Sequence, residues 1–142
     1  MSLKLLNLTK IVPFESSFDS AKDTPDAVRF MIAAIPTGAF NHIVDSNTRT
    51  IREDGEFHQN TKTLSMTMDM IRFGLKDIEN IQNIDIGDEP LTKLPTEKIK
   101  VGSKYMEVVS QEFIDMLPVE LMAELADAIA NLNTVTEDER KN

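Results

Sequence analysis

A chain of 142 residues with no cysteine and a net charge of −9 is long enough for one domain with its own core. Without cysteine there are no disulfides and no thiolate metal sites, and the acidic balance argues against a phosphate-backbone ligand, which needs clustered Lys and Arg. No apolar run approaches a membrane span, and Met1-Ser2-Leu3-Lys4 lacks the long apolar region of a signal peptide, so a cytosolic protein is expected.

Residues 1–22 form a variable N-terminal segment. In it Leu3, Leu5, Leu6, Leu8, Ile11 and Val12 suit a short strand or an opening turn, and Ser16, Ser17, Asp19, Ser20 and Asp23 suit a loop. Thr24-Pro25-Asp26 ends the loop, and Ala27 to Ile35 is the best strand candidate, with Phe30 and Ile32 on one face and Arg29 and Met31 on the other. Pro36 stops that strand, and Thr37 is placed to cap a helix through Phe40, Ile43 and Val44 to about Asp45.

The stretch from Ser46 to Lys62 is polar without a sustained period and reads as a long loop, with Asp54-Gly55 offering a hairpin turn. A central helix is expected over 63–83, where Leu64, Met68, Ile71, Leu75 and Ile78 repeat at helical spacing. Met66, Met70, Phe73 and Ile81 make a second stripe on its far side. A helix apolar on two sides is either central to a core or offers a methionine-rich groove, since Met repacks at little cost. Gly74 weakens this helix and suggests a close crossing.

Residues 84–109 read as short strands and turns, with Ile84–Pro90, a turn with short extended flanks, and Lys98–Gly102 as partners in a small hairpin. Ser110 is an expected N-cap for a short helix at Gln111–Met116, and a kink at Leu117-Pro118 starts the terminal helix. There Leu121, Met122, Leu125, Ala128, Ile129 and Leu132 form one apolar stripe, opposite Glu120, Glu124, Asp127 and Asn131. Thr136 and Glu139 have the spacing of a capping box. The carboxylates after Glu107 suit either a solvated face or a surface that seeks a basic partner.

Residues able to do chemistry are few. His42 and Asp45 stand three apart on a predicted helix face, the spacing of a metal pair or an oriented base, but surface helix residues are the better account of them. Asp85, Asp88 and Glu89 miss the calcium-loop pattern, and the five glycines are scattered singly rather than gathered in a phosphate loop. The expectation is a protein that is not an enzyme, with no catalytic residues, no metal and no cofactor.

Leu117-Pro118-Val119-Glu120-Leu121-Met122-Ala123-Glu124-Leu125-Ala126-Asp127-Ala128-Ile129, followed by Leu132 to Asn142, resembles the C-terminal end of small tailed-bacteriophage tail assembly chaperones. Met70 to Asn80 is similar to their middle helix, and Asp23 to Phe30 with Pro36-Thr37-Gly38 is similar to their N-terminal strand and following helix. The resemblance implies a viral protein of the host cytoplasm that binds the phage tape measure protein, or another tail protein, during tail assembly. It implies no catalysis, and neither nucleic acid nor membrane as a partner. A structural tail or neck subunit of the virion is one alternative. An acidic phage inhibitor of a host nucleic-acid-binding protein is another. Partner contacts are expected from Met66, Met70 and Phe73 and from Leu121, Leu125 and Ile129, and the sequence leaves a homo-oligomer open.

The expected architecture is a single domain over 1–142, α+β and predominantly helical. Small antiparallel sheets would pack against two main helices, Thr63–Asn83 and Val119–Leu132.

Overall fold

The computed structural model describes residues 3–61 and 63–134. Three antiparallel strands form the principal sheet: Val12–Glu15 (β1), Arg29–Ile32 (β2) and Leu75–Glu79 (β5), in the order β1-β2-β5. Alternation decides the register of the central strand. Phe30 and Ile32 point into the core while Arg29 and Met31 lie on the other face, as their period of two requires. On that face Arg29 bridges its neighbours, approaching Glu15 of β1 at 3.5 Å and Glu79 of β5 at 3.7 Å.

The helix Thr37–Asn47 (α1) follows Pro36 and runs directly into Thr48–Glu53 (β3), which pairs with Glu56–Thr61 (β4). The stretch expected to be a long loop is therefore a hairpin. It turns at Asp54 and Gly55, both with positive φ (51° and 82°), the conformation that a two-residue Asp-Gly turn supplies.

The helix Thr63–Gly74 (α2) is central, packing against α1 and the two C-terminal helices. It stops at Gly74, nine residues short of the expected end at Asn83, and the chain passes at once into β5. Leu75 and Ile78 stand three apart, which imitates a helical stripe. A bulge opposite Met31 and Ile32 adds a residue to β5, so both side chains reach the core from a strand. Gly74 is the close crossing foreseen from the sequence: a Cβ there would lie 2.6 Å from Cγ2 of Ile129.

Thr96–Val101 (β6) and Lys104–Val109 (β7) form a second hairpin about Gly102, whose φ is +63°. The expected pairing of Ile84–Pro90 with Lys98–Gly102 does not occur. The partner of Lys98 is Glu107, because the Gly102-Ser103 turn is the shorter closure. Ser110 caps Gln111–Asp115 (α3) by accepting from the Phe113 amide, and Pro118 opens Val119–Leu132 (α4). The Thr136–Glu139 capping box lies outside the described residues.

With helices of 11, 12, 5 and 14 residues against seven strands of four to six, the domain is mixed α+β and not predominantly helical. The expectation erred by counting β5 as helix and the β3-β4 hairpin as loop. Two long-range clasps hold the layers together. Arg72 of α2 donates through Nε to the Val109 carbonyl (2.9 Å) and pairs with Glu97, tying α2 to both strands of the second hairpin. Asn133, just past α4, exchanges two hydrogen bonds with the Ile35 backbone, accepting its N–H at 2.9 Å and donating to its carbonyl at 2.6 Å.

Candidate protein-binding groove

The loop between β1 and β2 builds one wall of an open groove. Ser16 is buried there and donates to the Glu124 carboxylate on α4 at 2.6 Å, while Ser17 gives the same carboxylate its hydroxyl and its amide. These bonds, that of Ser16 foremost, hold the Glu124 carboxyl below its usual carboxylate range. Asp19 folds the next turn back, accepting from the Ala21 and Val28 amides, both at 2.9 Å. Asn80, held at φ 59°, and Asn83 donate to the carbonyls of Pro25, Ala27 and Asp26, which fixes the far end of the loop. A segment rich in Ser and Asp is thus immobilised, and it presents Phe18 to solvent with 65% of its surface exposed.

The facing wall is the α3–α4 corner, Met116, Leu117, Pro118 and Leu121, and Ile84 and Ile86 close one end. The groove encloses about 570 Å³, within the span of about 300–1,000 Å³ usual for binding sites. Phe30 and Phe113 lie at its floor, and its lining is mostly apolar. Asp19 and Asp85 are the charged groups among the described residues lining it, and neither Lys nor Arg is part of that lining. Such a surface excludes water from an apolar segment and favours cationic groups at its rim.

The structure divides the six expected contact residues. Phe73, Leu125 and Ile129 are core, Leu125 and Ile129 completely so. The α4 stripe that carries Leu125 and Ile129 meets α2 instead of a partner, since Ile129 fills the space left by Gly74. Met66 and Met70 are half-buried against the same core. Leu121 alone among the six lines the groove. Phe18, Met116 and Ile86 were not singled out in the sequence. A lone aromatic in a Ser/Asp loop carries no periodicity, and its exposure is visible only once the loop is folded.

His42 and Asp45 do not form a constellation. The His42 ring lies 6.1 Å from that of Phe73, centroid to centroid, and Asp45 accepts from Asn41 at 3.5 Å. Among the described residues no three His, Asp or Glu side chains gather as a metal site, and no helix is long and apolar enough to cross a membrane. No known protein family, curated protein or solved structure matches this chain.

Proposed function

We propose that the protein is a tail assembly chaperone or tail accessory protein of a tailed bacteriophage, acting in the host cytoplasm by binding a segment of the tape measure protein. The observation that supports this reading is the groove between Phe18 and the α3–α4 corner, an open apolar trough with acidic residues at its rim. A tape measure is a long helical chain whose apolar faces need cover before assembly. One helical face laid into this trough would gain several kcal/mol at about 25 cal/mol per Å² before the entropic costs of association. Lys and Arg beside that face would meet Asp19 and Asp85.

Co-expression with the tape measure protein of the same genome, followed by size-exclusion and mass determination, tests the reading. The expected result is a stable complex that Phe18→Glu abolishes while leaving the free protein folded. A wild-type chain that ignores the tape measure, or a complex indifferent to Phe18→Glu, refutes it. Presence of the protein in mature particles would instead favour a structural virion subunit.

A further inference from the structure

We infer that the groove is also filled by the N-terminal arm of another copy of this chain, so that the free protein assembles head to tail. This inference rests on reading the groove as a protein-binding site.

The arm, residues 3–11, is the counterpart of the groove in both polarity and charge. In a chain of net charge −9 it holds Lys4 and Lys10 and no acidic residue. Leu3 and Leu5 are 90% and 85% exposed, the largest exposures among the large apolar side chains of the described residues, and Leu8 and Ile11 are exposed as well. Residues 4–6 lie near the far end of α4, lining a shallow pocket with Val12, Asn131 and Leu132. Leu6 is the half-buried residue of this stretch, while Leu3, Lys4 and Leu5 before it are exposed. Asn7 stiffens the next turn by accepting from the amides of Thr9 and Lys10, both at 3.2 Å.

The groove lies at the opposite end of α4, beside Pro118 and Leu121. An α4 of 14 residues separates the two sites by about 20 Å. The exposed leucines of one copy and the groove of the next are therefore two different patches, and such a contact is heterologous. It propagates to a closed ring or an open filament, according to the rotation between copies. A tape measure segment entering the groove displaces the arm, which couples disassembly of the free protein to capture of its client.

Charge-swap variants and analytical ultracentrifugation test this on the full chain. The arm variant is Leu3→Glu with Leu5→Glu, and the groove variant is Phe18→Glu; all three side chains are solvent-exposed, so the core is untouched. Wild type is expected to sediment as a multimer, and each variant as a single chain of 16.0 kDa. An equimolar mixture of the two variants should stop at a heterodimer, since it retains one intact arm and one intact groove per pair. Tyr105→Glu, at an exposed aromatic on the second hairpin, should leave the wild-type mass unchanged. A monomeric wild type, variants of unaltered mass, or a mixture that stays monomeric each overturns the inference. Adding the tape measure protein to the arm variant separates the two readings. Binding there with no self-association of wild type leaves the groove a client site and removes only the arm; self-association without client binding removes the chaperone reading alone.

Discussion

Ile129 of α4 sits directly on Gly74, the last residue of α2, with three of its side-chain atoms within 3.0 Å of the place a Cβ would occupy. Both residues are buried, and the Gly74 carbonyl accepts from Ala33 at 2.9 Å, so the backbone has little freedom to withdraw. Gly74→Ala should destabilise the fold by about 1–3 kcal/mol, the usual cost of overpacking. Urea denaturation measures it, and Ile129→Val in the same chain should recover part of the loss. Strict additivity of the two changes would mean that they do not meet.

Leu121 and Leu125 are one helical turn apart on α4 and should respond differently to truncation. Leu125 is fully buried, so Leu125→Ala should cost about 2–5 kcal/mol, whereas Leu121→Ala at the half-exposed groove wall should cost distinctly less. If tape measure binding is assayed, Leu121→Ala should weaken it in a chain whose melting temperature is nearly intact.

The clasp between Asn133 and Ile35 is open to a residue-level measurement. Asn133→Ala leaves the Ile35 N–H and carbonyl to other partners, at a cost of about 1–3 kcal/mol. Amide exchange at Ile35 should accelerate in this variant. Unchanged protection at Ile35 would show that the clasp is not what shields it.

Acid stability follows from Glu124. Its folded pKa is depressed by the hydroxyls of Ser16 and Ser17, so its contribution is complete above the ordinary value, about 4.3 for Glu. The contribution is then lost as pH falls through the lower folded value. Glu124→Gln should therefore flatten this part of the acid limb of the stability curve, and Ser16→Ala should raise the Glu124 pKa observed by NMR. An acid limb identical to wild type in Glu124→Gln would remove the carboxylate from this role.

Local signals carried much of this fold. Ser110 caps α3, Pro118 opens α4, Phe30 and Ile32 face inward together, and Asp54-Gly55 turns a hairpin, each through chemistry confined to a few neighbouring residues. The features that the sequence misplaces depend on distant partners. Leu75 and Ile78 look helical until β2 supplies a bulge opposite them, and Lys98 has two plausible partners until Gly102 closes the nearer one. The candidate groove was less legible still. It draws on the β1–β2 loop, residues 83–86 and the α3–α4 corner, three stretches that only tertiary packing brings together, and of its walls only Leu121 stood in a periodic stripe.

The Asn133–Ile35 clasp joins residues 98 positions apart. At synthesis rates of about 5–20 residues per second, Ile35 leaves the ribosome about 5–20 s before its partner does. Gly74 is made 55 residues ahead of Ile129, about 3–11 s at those rates, and until then the face of α2 around it is uncovered. A transcript cut short, or a reading frame lost before α4, therefore yields a chain with part of its core bare, an open target for proteases. Only messages translated through α4 produce a closed domain, so the position of that helix makes the fold itself a check that translation has passed it.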